Sequence, residues 1–226
     1  MRRPPTRLLL IAAVPLLVLV LGALPAAAHV IDADLSKLSR TEVFWTYLQL
    51  GYTHILPLGA DHILFVLSLY ILEPRLRPVL WQATAFTVAH SITLGLAMYG
   101  FVRPPSSIVE PVIALSILFV AIENIVSRRL NPWRLAVVFG FGLVHGLGFA
   151  SALTGLGLPR NAYFGSLISF NVGVELGQVT VILLAWALIG RWAAGKPWYH
   201  ARVVVPVSAA IGLVAAFWTV QRVFFA

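Results

Sequence analysis

The chain contains no cysteine. Disulfides, thiolate metal sites and thiol catalysis are therefore excluded, and any metal must be held by histidine, carboxylate, amide or backbone oxygen. Charge is scarce as well: 11% of the 226 residues are charged, with eight acidic residues against sixteen Lys and Arg. There is no nucleotide-binding glycine loop, so this chain does not power a process by its own ATP hydrolysis. H-E-x-x-H and G-x-S-x-G signatures are absent too. The net charge of +8 comes from Lys and Arg placed in short loops between apolar runs. Without aromatic residues interleaved among them, they do not read as a nucleic-acid surface; they read as membrane topology signals.

What is plentiful is apolar. The composition is 60% hydrophobic and the mean hydropathy is +0.91, more than a soluble domain of this size can hide. The expected class is all-α, a polytopic membrane helix bundle in a lipid bilayer with no separate soluble module. Residues 1–28 read as a cleaved signal peptide: Arg2, Arg3 and Arg7, then the core "LLLIAAVPLLVLVLGAL", then a small-residue site at Ala26 and Ala28. The alternative is an uncleaved signal anchor. Residues 29–41 form a polar extracytoplasmic segment, and 42–226 a single transmembrane helical domain.

Ser39 and Glu42 form a capping box that starts a helix. The stretch "TEVFWTYLQLGYTHIL" is amphipathic and about 22 Å long by helical rise, short for a hydrocarbon core of about 30 Å. It reads as a half-inserted, re-entrant or interfacial helix, or else a short tilted span. About six transmembrane helices follow, near 58–73, 78–101, 107–127, 134–156, 163–190 and 203–225. With the first starting outside, the cytoplasmic loops hold Arg75, Arg77, Arg128, Arg129, Arg134, Arg191, Lys196 and Arg202, against Arg103, Arg160 and Arg222 outside. This bias orients the chain in a bacterial-type cytoplasmic (inner) membrane with the mature N-terminus outside.

Ionisable residues fall within these apolar stretches. His54 precedes the break Pro57-Leu58-Gly59; Asp61 and His62 follow it; His90, His145 and Glu175 lie mid-span, with Asn171 one turn from Glu175. Such groups are costly in lipid and face the bundle interior, and broken helices in transporters mark substrate sites. A single buried imidazole is ordinarily a hydrogen-bonded core residue. Four, with two carboxylates, in the outer half and middle of one small bundle suit nickel, cobalt, zinc or manganese. Asp61 could instead cap its helix and orient a histidine. The pair Gly142 and Gly146 flanks His145 in a G-x-x-x-G, which permits close helix approach.

His54 followed by "GADHILFVL", with "FGFGLVHGLGFA" and "NVGVELGQ", resembles the HupE/UreJ family over most of residues 42–190. The resemblance implies a nickel permease associated with hydrogenase or urease systems, with His54, Asp61, His62, His145 and Glu175 as its metal-handling residues. The chain departs from the nickel-permease members at Phe141, where they carry a further histidine, and His90 is the candidate to supply that ligand. The expected function is thus a divalent-metal permease, a transporter rather than an enzyme. The alternatives are a zinc-dependent intramembrane hydrolase, with Asp61 or Glu175 as base, and a metal-binding assembly factor that does not transport.

Overall fold

The computed structural model describes residues 39–149 and 163–225. The expected signal peptide, His29 and Arg160 lie outside the described residues. The described residues are all-helical, with no strand among them. The helices are α1 (Arg40–Ile55), α2 (Ala60–Leu72), α3 (Leu76–Met98), α4 (Ser106–Val126), α5 (Arg134–Gly148), α6 (Tyr163–Ala193) and α7 (His200–Phe224). A π-helical turn interrupts α6 at Trp186–Gly190, and another opens α7 at His200–Val204.

Four of these helices, α3, α4, α6 and α7, are long and apolar enough to cross a membrane. The pair α1 and α2 passes the same test together but is bent by 67° at its break, which makes five; α5 is a shorter apolar helix. Large apolar side chains face outward along the bundle, Trp81, Ile108, Phe164, Leu213 and Phe217 among them, whereas Gln82, His90, Asn124, Arg134, His145 and Gln178 are buried. Polar inside and apolar outside is the arrangement lipid selects.

Helix ends follow local chemistry. The capping box forms as expected: the Glu42 amide donates to Ser39 Oγ at 3.3 Å, and the Ser39 amide donates to Glu42 Oε2 at 2.8 Å. The stretch expected over 78–101 stops at Met98 because Gly100, at φ 83°, takes the left-handed conformation in which a helix terminates. In the α6–α7 connection the Tyr199 hydroxyl donates to the Ile71 carbonyl at 2.8 Å, and burial pushes its phenol up from the ordinary range.

The central element is α2. It has only thirteen residues, and nine of them are buried. A helix apolar on every side belongs in the middle of a bundle, and α2 contacts α1, α3, α4, α6 and α7. The longest seams run between α1 and α6, α3 and α5, and α4 and α7. Glycine closes two of them. A Cβ on Gly51 would strike the Phe170 carbonyl of α6, and one on Gly173 would strike the Leu48 carbonyl of α1. A Cβ on Gly142 would come within 2.5 Å of the Phe86 carbonyl, and one on Gly146 would strike the His90 carbonyl. Helix α1 therefore lies against α6 along its length.

Two arginines depart from their expected place in the loops. Arg134 is buried inside the bundle, and Arg222 is tied to Asp61. Each is drawn from the aqueous boundary by an acidic partner, so neither is a free loop charge.

The seams predict opposite effects within one helix. Gly146→Ala forces α5 off α3 and is expected to cost about 1–3 kcal/mol, the range for overpacking. Gly140, with no atom near its would-be Cβ, gains helix propensity on change to Ala, up to about 1 kcal/mol. Thermal unfolding in detergent should lower the midpoint for the first and hold or raise it for the second.

Candidate metal centre

Each of the four adjoining helices α1, α2, α3 and α5 contributes one imidazole to a common pocket. His54 ends α1, and the chain turns back through a cis Leu56–Pro57 bond and Gly59, whose missing Cβ leaves room for the His54 carbonyl. His62 then emerges in the first turn of α2, with its ring centroid 4.6 Å from that of His54. The α3–α5 seam brings the other two histidines in. The His90 ring lies 6.1 Å from His54 and 5.9 Å from His62, and the His145 ring lies 5.1 Å from His62. Nitrogens of His54, His62 and His90 all fall within 4.8 Å of one another.

These imidazoles have free nitrogens. His54 Nε2, His62 Nε2, His90 Nε2 and His145 Nδ1 are buried without a hydrogen-bond partner. Ordinarily buried polar atoms are paired, and leaving one unpaired costs roughly 1–3 kcal/mol. Nitrogens of three of these residues lie together, and His145 joins them through ring contact with His62, so their unpartnered atoms call for a shared explanation. Neighbouring groups also set two of the tautomers. Asn171 Nδ2 donates to the Leu167 carbonyl at 2.7 Å, so its Oδ1 faces His90 Nδ1, at 3.4 Å, as an acceptor. His90 thus carries its proton on Nδ1, leaving the lone pair on Nε2. The Ser116 hydroxyl donates to the Ile113 carbonyl at 2.6 Å and accepts from His145 Nε2 at 2.9 Å. His145 Nδ1 therefore carries the lone pair. In both residues the unpartnered nitrogen is the one able to bind a metal, and the other is held by the kind of neighbour that orients metal-ligating histidines.

The walls are aromatic. Phe149 lies 4.0 Å from the His54 ring, Phe86 5.0 Å from His145, Phe65 5.2 Å from His145, and Phe170 5.6 Å from His54. Phenyl rings exclude water and offer the histidine nitrogens no hydrogen bond. Phe141 packs against Phe65 and Phe119, while His90 joins the cluster.

Neither carboxylate joins these rings. Asp61 accepts two hydrogen bonds from Arg222, at 3.0 and 2.9 Å, and Arg222 also donates to the Glu110 carbonyl at 3.2 Å. The role of Asp61 as orienter of a histidine is thereby taken by Asn171 and Ser116. Glu175 accepts from Thr84 at 2.7 Å. It lines a groove of about 370 Å3 between α3 and α6, with Thr87, Ser91 and Asn171. Asn171 stands between that groove and His90. Sequence reasoning missed Ser116 and the phenylalanine walls. A serine mid-span in "ALSILF" was a usable signal; the phenylalanines carried none among thirteen in the chain.

A family model described as HupE / UreJ protein matches residues 29–222. No curated protein and no solved structure matches the chain.

If the histidines alone make the centre, the carboxylates are dispensable for binding. Purified protein titrated with cobalt and followed by visible absorption should lose its ligand-field bands in His90→Ala and keep them in Glu175→Gln. Asn171→Leu, which frees the His90 ring, should weaken cobalt about 10–100-fold, the usual effect of removing a ligand's orienting partner.

Proposed function

The chain belongs to the HupE/UreJ family, and on that premise we propose that it is a permease for a divalent transition metal, with the four-histidine pocket as its transit site. The observation that carries the proposal is the cluster of His54, His62 and His90 nitrogens within 4.8 Å of one another, with His145 against His62 and an unpartnered buried nitrogen on each of the four. Histidine is their common identity, and among the described residues no carboxylate joins the cluster. Such a set suits nickel, cobalt and zinc, whereas manganese prefers oxygen ligands.

Neutral ligands also suit passage. They compensate the ion's hydration shell without cancelling its charge, so a dication inside the phenylalanine walls retains a desolvation cost. Binding is then selective and still weak enough to release, as conduction requires. On this reading the domain is 42–226, preceded by a cleaved signal over 1–28 and the extracytoplasmic segment 29–41. Six helices cross an inner membrane with the mature N-terminus outside, and the α1–α2 break lies on the outer side.

The zinc hydrolase is the second reading, favoured by three clustered histidines, the ligand number of many catalytic zinc sites. Such a site needs a general base beside the bound water. Asp61 is held by Arg222 and Glu175 faces the α3–α6 groove, so both candidate bases lie apart from the rings. A binding factor that does not transport shares the same site and differs only in flux.

Flux therefore decides. In proteoliposomes under an inward gradient, the native protein is expected to move nickel, cobalt or zinc faster than manganese. His90→Ala and His145→Ala, verified as folded, should abolish that movement. Tight binding by the native protein with no flux of any of these ions would overturn the permease reading.

A further inference from the structure

Toward the end of the bundle holding the α2–α3 and α4–α5 connections lies a second polar cluster, apart from the four clustered imidazoles and flanked by His200, whose Nε2 lies 3.3 Å from the Asn124 carbonyl. Arg134, the first residue of α5, is 2% exposed, and its partner Glu123 is 8% exposed. Arg134 Nη1 donates to Glu123 Oε2 at 2.6 Å and to Asn124 Oδ1 at 3.0 Å. Nε donates to Gln82 Oε1 at 3.1 Å, and Nη2 to the Ser68 carbonyl at 3.4 Å. Four oxygens from α2, α3 and α4 thus surround one buried cation.

Stability does not account for this arrangement. A buried ion pair is often no better than apolar residues of the same volume. The first turn of a helix is also the positive end of its dipole, the wrong place for an arginine. What places Arg134 there is the set of oxygens.

The cluster is in line with the histidines. His62, Phe65 and Ser68 follow one another at three-residue spacing along α2, with His62 and Ser68 about 9 Å apart by helical rise. His90, Phe86 and Gln82 do the same at four-residue spacing along α3. On α5, His145, Phe141 and Arg134 succeed one another in the same order, and on α4, Ser116 beside His145 leads to Glu123 and Asn124. The result is three layers: imidazoles, then the contacting rings Phe65, Phe86 and Phe141, then oxygens around a guanidinium.

Resting on the permease reading, we propose that the Glu123, Asn124, Gln82 and Ser68 oxygens form a second cation site on the same path, which the Arg134 guanidinium occupies as a tethered cation and so closes. One carboxylate, two amides and a carbonyl form a harder set than the imidazoles and hold a borderline metal less well. An ion arriving there must displace Arg134, and the returning guanidinium expels it.

Equilibrium dialysis against cobalt tests this by the increment that one substitution causes. Arg134→Gln removes the tethered cation and leaves Glu123 free, and is expected to bind about one more cobalt than the native chain. The double variant Arg134→Gln/Glu123→Gln should lose that increment. Because the increment is measured against the native chain, it is read alike whether the histidine pocket holds cobalt or not. A folded Arg134→Gln without extra cobalt overturns the proposal. Should Arg134→Gln fail to fold, Glu123→Gln gives a second reading, with native cobalt binding and most of the flux lost; native flux in that variant also overturns it.

Discussion

The pocket depends on helix backbones approaching closer than any side chain would allow. Gly51 and Gly173 seat α1 against α6, and Gly142 and Gly146 seat α5 against α3. The first seam carries His54, and the second sets His145 beside the helix that bears His90. An added methyl at any of these glycines separates two helices, moving His54 in the first seam and parting His145 from His90 in the second. In lipid, where helices gain little from hiding apolar surface from one another, such packing is a main source of association, so one set of contacts both assembles the bundle and positions its nitrogens.

Around this frame the polar groups are sorted by whether they find a partner. Asp61 finds Arg222, Glu123 finds Arg134, and Glu175 finds Thr84. The amide of Asn171 and the hydroxyl of Ser116 each hold one histidine nitrogen and leave the other bare. In the histidine layer four unpartnered nitrogens gather, and the phenylalanine walls keep water from them. Asp61 and Glu123 are neutralised by arginines, whereas Glu175 keeps Oε2 buried without a hydrogen-bond partner, as each of the four imidazoles keeps one nitrogen.

The same sorting explains which site residues were legible. His54, Asp61, His62, His90, His145 and Glu175 all stood out by being ionisable within apolar runs, and that signal was local. Whether such a residue faces a metal or an arginine is not local. Asp61 and Arg222 are 161 positions apart, and Thr84 and Glu175 are 91 apart. Arg134 reads as a loop charge because it follows a polar connection, yet the acceptors that draw it inward come from three other helices.

The all-helical class, the positions of the apolar helices, the cap at Ser39 and the break at Pro57–Gly59 were determined by the sequence itself, since hydropathy, capping and chain breaks depend on neighbouring residues. The G-x-x-x-G also marked α5 as a helix able to approach another closely. Tertiary structure alone decided that α3 is the helix it approaches, that His90 joins His54 and His62 in one cluster, and that Asp61 and Glu175 find other partners. Those outcomes depend on which helix faces cross in space, and a helix carries no record along its own sequence of the face it will meet.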